Sequence, residues 1–263
     1  MPSSALHVAR TGLEAQDQRM RVIANNLANI STAGFKRDRV DFATLAYQET
    51  RVAGQQSTNQ TAYAVGLNLG TGVQVTGTSR IESQGTLNQT GNSLDLALDG
   101  PGFFQVELPA GGEIAYTRAG NFTLSPEGQL ITSQGYALTP PIQIPQGASS
   151  ISIAPDGTVS ATQAGQSAPV QIGQLQVASF VNPAGLRAIG DNFLTETAAS
   201  GPADSGAAGQ NGRGNIRQGM LETSNVNVVE ELVEMIEAQR AYEINSKMVS
   251  SVDEMLRNAN QTL

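Results

Sequence analysis

The side chains that most often carry out chemistry are scarce in this sequence. Its 263 residues include one histidine, His7, and no cysteine. One imidazole cannot build a histidine-based triad or a multi-histidine metal site, and without thiols there are no disulfides, zinc–thiolate sites or thiol nucleophiles. His7 falls in a helical stretch and reads as a half-exposed packing residue. Asp95 and Asp99 share one face of a strand, but four residues at about 3.3 Å each set them roughly 13 Å apart, too far for the carboxylate pair of a glycosidase. They read as a solvated strand face. Gly70-Thr71-Gly72 resembles a piece of a phosphate loop, yet no Gly-Lys-Ser/Thr follows, so a turn is expected. Asn29-Ile30-Ser31 and Asn121-Phe122-Thr123 match a glycosylation triplet that arises often by chance. No catalytic, cofactor-binding or metal-ligating residue is assigned, and the chain reads as a non-enzyme that needs no cofactor.

The charge balance narrows the partners. A formal net charge of −8 leaves no basic field for a nucleic-acid backbone or an anionic membrane. No 18-residue apolar run occurs, and no basic segment leads into a short apolar one, so neither a membrane span nor a cleaved secretion signal is expected. Export by another route stays open, and the lack of cysteine suits passage through an oxidising compartment.

With no site to serve, the helical patterns at the two ends become the main signal. From Ser224 to Leu263 one apolar position recurs every seven residues: Val228, Met235, Tyr242, Val249, Leu256 and Leu263. Three residues after each of the first five stand Glu231, Ala238, Asn245, Val252 and Ala259, so the stripe is narrow. No Gly or Pro interrupts about 60 Å of helix at 1.5 Å per residue. Ser224 and Asn225 are candidate N-caps. The first thirty residues carry a matching register, Leu6, Leu13, Met20 and Leu27, accompanied by Ala9, Gln16, Ile23 and Ile30, with Gly34 as the expected stop. The N-terminal segment is net positive and the C-terminal one net negative, which favours their pairing. The expectation is a coiled coil of the two terminal helices, whose polymerisation seam comprises Leu6, Leu13, Met20, Ile23, Leu27, Ile30, Val228, Met235, Tyr242, Val249, Val252, Leu256 and Leu263.

Between the helices the period changes to two. Residues 47–80 are an extended linker or arm, polar and rich in Gln, Thr and Ser around 54–61. Leu94, Leu96 and Leu98 then alternate with Asp95, Ala97 and Asp99, and Phe104, Val106 and Leu108 with Gln105 and Glu107. Pro126-Glu127-Gly128-Gln129 and Pro155-Asp156-Gly157-Thr158 are hairpin turns by composition. Half-buried antiparallel strands with polar outer faces are expected, and Ala198 to Gly214 reads as a low-complexity loop. The fold class is thus α+β: terminal helices pairing as a coiled coil around an inserted antiparallel all-β domain. Its parts are residues 1–46 with the first helix, 47–80, the β-rich 81–218, and 219–263 with the last helix.

Residues 24 to 37, Ala-Asn-Asn-Leu-Ala-Asn-Ile-Ser-Thr-Ala-Gly-Phe-Lys-Arg, resemble the N-terminal signature of the bacterial flagellar rod and hook proteins. The likeness continues through Ser83 to Leu87, Asp99 to Val106 and Tyr116 to Phe122. It closes with Glu222 to Val228 and Gln239-Arg240-Ala241-Tyr242-Glu243-Ile244-Asn245-Ser246-Lys247. Its signature positions are Asn25, Asn26, Leu27, Asn29, Thr32, Gly34, Phe35, Lys36, Gln239, Arg240, Ala241, Tyr242 and Asn245. Length and the polar stretch 47–65 resemble the distal-rod branch of that family rather than the longer hook proteins.

The resemblance implies a structural subunit, exported uncleaved through the flagellar type III apparatus. It would polymerise into a helical tube that crosses the periplasm inside the P and L rings and transmits torque. The implied partners are further copies of the chain, proximal rod proteins, the hook protein, the P-ring and L-ring proteins and the export apparatus, with no nucleic acid and no membrane insertion. The alternatives are a hook or proximal rod subunit or, from another class, a secreted β-rich module that binds cell-wall saccharide on a helical stalk.

Overall fold

The computed structural model describes residues 2–58, 61–109, 112–163 and 168–261. Helix α1 spans Pro2–Ala28 and helix α2 spans Val228–Gln261. The chain divides into two compact units: residues 1–27, 38–79 and 227–263 form one, and 28–37 with 80–226 the other.

In the helical unit, α2 starts later than the sequence suggests because Asn227 is the cap. Its Oδ1 accepts the Val229 N–H at 3.1 Å, and its carbonyl accepts the Glu231 N–H at 3.0 Å. Glu230 and Glu231 in the first turn lie where the helix dipole favours negative charge. The two helices run antiparallel: Asn26 meets Glu231, Arg19 reaches Glu234 and Glu237, and Gly12 lies against Asn245.

They do not pair as the expected coiled coil, and among the described residues strand outweighs helix, 37% against 24%. The buried positions of α2 are Glu231, Ala238 and Val252, and those of α1 are Ala9, Ala15, Ile23 and Asn26. Val228 and Tyr242, from the large apolar register, remain 40% exposed. Leu6, Leu13, Met20, Leu27, Met235, Val249 and Leu256 are half-buried. The physical reason lies at Gly12, where a Cβ would come within 3.1 Å of the Asn245 side chain. Short side chains let the helices approach closely, so the narrower companion register makes the contact and the large residues flank it. Leu263 and the side chain of Ala259 lie outside the described residues.

The same unit contains an arm built as stacked strand pairs. Asp38–Thr44 pairs with Val73–Arg80, Tyr47–Arg51 with Leu67–Gly70, and Gln56–Thr58 with Thr61–Ala62. Its base is tied to α1 by Asn26, whose side chain accepts the Asp38 N–H at 3.0 Å and donates to the Asp38 carbonyl at 2.9 Å. Gly70-Thr71-Gly72 joins two of these strands, and a Cβ at Gly72 would strike Thr11.

The β unit is organised on a six-stranded sheet whose strands lie in the order Arg187–Gly190, Phe193–Thr195, Ile114–Thr117, Phe103–Glu107, Gln176–Ser179 and Asp204–Ala207. Ala148–Ile153, Thr158–Gln163 and Val170–Gln174 form a second sheet, and the pairings within both are antiparallel. The turns at 126–129 and 155–158 join antiparallel strands as their composition suggests. The residues from 198 to 214 are not wholly loop, because Asp204–Ala207 completes an edge of the large sheet. The outer faces are not generally polar either. Phe104 and Val106 enter the main core with Leu96, Leu98, Phe122 and Val177, while Phe103 on the opposite face packs with Tyr116, Ala178 and Leu194. Both faces of this central strand are covered, so the alternation marks two cores rather than core and solvent. Asp95 is likewise buried, accepting hydrogen bonds from Thr90 and Asn92, and Asp99 pairs with Arg217.

Candidate functional site

In the β unit the signature segment 28–37 ends in a buried ionic junction. Gly34 adopts φ +69°, and a Cβ there would lie 2.5 Å from the Arg118 carbonyl carbon. Only glycine permits this approach, so Gly34 serves contact with the β unit, and α1 has already ended at Ala28. The approach places Lys36 beside Glu222: Lys36 Nζ donates to Glu222 Oε1 at 2.5 Å and to the Ser83 carbonyl at 2.8 Å. Arg118 donates through Nη1 to Glu222 Oε2 at 3.2 Å and through Nη2 to the Gly100 carbonyl at 2.9 Å. The Gly85 N–H completes the carboxylate's partners at 2.9 Å. Lys36, Arg118 and Glu222 are all buried.

One carboxylate therefore holds two cations taken from distant parts of the chain. Burial lowers the Lys36 pKa from its ordinary value, against the pull of Glu222. Next to them, burial raises the pKa of Glu82 while the charges of Arg80, Lys36 and Arg118 oppose the rise. Both Glu82 oxygens are enclosed without a hydrogen-bond partner among the described residues. Asn225, read from sequence as a helix cap, is used here instead. Its Oδ1 accepts the Arg37 N–H at 2.7 Å, and its Nδ2 donates to the carbonyls of Ile81 and Ser83.

The remaining signature residues have separate settings. Thr32 donates to Asn29 at 3.1 Å, Phe35 and Ala241 are half-buried, and Asn25, Gln239 and Arg240 are exposed. Ile30 is half-buried in the segment after α1, and His7 is exposed on α1. Sequence reasoning missed Arg118, Glu222 and Glu82 as site residues. Their signal was present, in that each charge stands within a motif of small and apolar residues, but nothing in the local pattern couples positions 104 and 186 apart.

The second candidate surface lies on the helical unit. On α2, away from the line that meets α1, Val229 (70% exposed), Val233, Ile236, Ile244 (62%), Met248 and Met255 (62%) recur at helical spacing in solvent. Among the described residues no group of three or more His, Asp or Glu could hold a metal, and no described helix is long and apolar enough to cross a membrane. What these two sites offer is ionic cross-linking and apolar contact.

Residues 6–36 match the model of the flagella basal body rod protein, 97–161 that of the flagellar hook protein FlgE/F/G D1 domain, and 217–262 that of the flagellar basal body rod FlgEFG protein C-terminal. The chain is 51% identical over 257 residues to the flagellar basal-body rod protein FlgG of Buchnera aphidicola from Schizaphis graminum, covering 98% of each chain. The chain belongs to the flagellar basal-body rod protein family. Within Caulobacter vibrioides, the rod protein named FlgG is 46% identical to it and the one named FlgF is 32% identical, each over nearly its full length. Similarity to the FlgG of Bacillus subtilis is 37% over 96% of each chain. In this rod protein the Lys36 end of the first family match and the Glu222 start of the last meet in one salt bridge.

Proposed function

We propose that the exposed apolar stripe of α2 is the surface through which this structural subunit of the flagellar distal rod polymerises into a helical tube. The observation that carries the reading is that stripe, Val229, Val233, Ile236, Ile244, Met248 and Met255, left in solvent on a helix whose other side is already occupied by α1. An isolated soluble chain seldom leaves so long an apolar line uncovered. The seam residues Leu6, Leu13, Met20, Ile23, Leu27, Ile30, Val228, Met235, Tyr242, Val249, Val252 and Leu256 serve the same assembly, the large ones as flanks of the contact and Ile23 and Val252 within it; Leu263 belongs to the same sequence register and lies outside the described residues.

Family membership supports a place in the basal body, and the finer steps follow from the resemblance. The chain is exported uncleaved through the type III apparatus and joins the proximal rod on one side and the hook on the other. It then turns within the P and L rings in the periplasm, carrying torque as a mechanical part rather than a catalyst. The higher identity to FlgG than to FlgF in one organism favours the distal rod over the proximal one. The test is to replace the chromosomal copy by Ile244→Asp and image isolated basal bodies. Rods that stop short, with no hook, are expected; full-length rods with hooks would overturn the reading.

A further inference from the structure

The chain has six methionines and no cysteine, so thioethers are its only sulfur. Among the described residues Met20, Met220 and Met235 are half-buried, whereas Met248 (45% exposed) and Met255 (62%) stand in solvent. Seven residues apart, these two lie on one face of α2. They also carry the later part of the apolar stripe by themselves. Val229, Val233 and Ile236 supply its beginning, but after Ile244 every exposed large apolar side chain among the described residues is a methionine, with the exposed Ser251 between the two.

We propose that Met248 and Met255 form a modification site for small hydroperoxides, at which oxidation keeps a free subunit from joining the polymer. The proposal rests on the reading of the α2 stripe as the polymerisation surface. In the step, a sulfur lone pair attacks one oxygen of the peroxide. An S–O bond forms and the O–O bond breaks, and the proton on the transferred oxygen passes to the leaving one, which departs as water or, from an alkyl hydroperoxide, as an alcohol. Sulfur loses two electrons and the peroxide gains them. The sulfoxide oxygen is a strong acceptor. In the free subunit water satisfies it, so α2 and its contact with α1 stay as they are. Against an apolar surface of another subunit it finds no donor, and enclosing it there carries the penalty of burying an unpaired polar group. Valine and isoleucine offer no atom for this chemistry, so it acts on the later part of the stripe alone.

The experiment treats the free full chain with hydrogen peroxide, locates the added oxygen by peptide mass spectrometry, and measures self-association by sedimentation velocity before and after. Met248 and Met255 should gain oxygen faster than Met20, Met220 and Met235. Thermal unfolding and helical circular dichroism should stay unchanged, while association should weaken about tenfold for each sulfoxide. The two sulfoxide reductases, one for each epimer, should restore it when supplied with a dithiol. The assignment to these two sulfurs is tested with Met248→Leu and Met255→Leu combined: whatever the association of this variant, peroxide should not change it, whereas Met220→Leu should lose association as the wild type does. Undiminished association of a chain oxidised at both methionines, or an equal loss in the double leucine variant, would overturn the proposal and leave the polymer reading to its own test. A wild-type chain that did not associate before oxidation would overturn both.

Discussion

Glu222 receives Lys36 from 186 positions away and Arg118 from 104 positions away. Removing the shared carboxylate leaves two buried cations facing each other without water. Glu222→Ala should therefore destabilise the β unit by about 3–5 kcal/mol, measured by urea unfolding. Replacing all three with apolar residues of similar size should cost much less. Glu82 behaves differently, because burial raises its pKa above the ordinary value of 4.5. The folded state then binds a proton more tightly than the unfolded one. Its contribution is fully present below about 4.5 and is lost as pH rises through the raised folded value. Glu82→Gln should thus gain melting temperature relative to wild type as pH goes from 4.5 to neutrality; parallel curves for the two proteins would remove Glu82 as the cause.

At the scale of elements, glycines decide two close approaches. Gly34→Ala forces a side chain into left-handed backbone and against the Arg118 carbonyl. A loss of about 1–2 kcal/mol from the backbone alone, and more from the clash, should appear in thermal melts. Gly12→Leu should part α1 from α2 at Asn245 and lower helical content by circular dichroism while sparing the β unit. These same positions show how far the sequence could be read. The helices and the two hairpin turns were legible because periods of 3.6 and 2 and Gly-containing turns are local signals, whereas residues 47–80 read only as a polar extended linker and their strand pairings did not show. The choice of helix face was not, because the large register predicts where apolar surface lies and the small one decides how near two helices come. Asn227 rather than Asn225 as cap was equally hidden: both side chains can cap, and a long-range claim on Asn225 by Arg37, Ile81 and Ser83 settles the matter. Asp95 looked solvated because alternation cannot show that Thr90 and Asn92 would bury and satisfy it.

For the whole molecule, the two units divide the work by composition. The β unit gathers most of its large apolar residues into two cores and locks the family's terminal motifs with charge. In the helical unit α2 instead leaves a run of apolar residues, Ile236, Ile244 and Met255 among them, in water. On the proposed reading the folded body fixes the subunit's shape and the apolar surface of α2 is covered by further subunits. The most direct test is self-assembly of the purified full chain, followed by sedimentation and electron microscopy, for wild type and for Ile236→Asp with Ile244→Asp. The account predicts helical tubes from the wild type and monomers from the double variant, with the thermal transition of the β unit unchanged. Tubes of normal length from the double variant would contradict it.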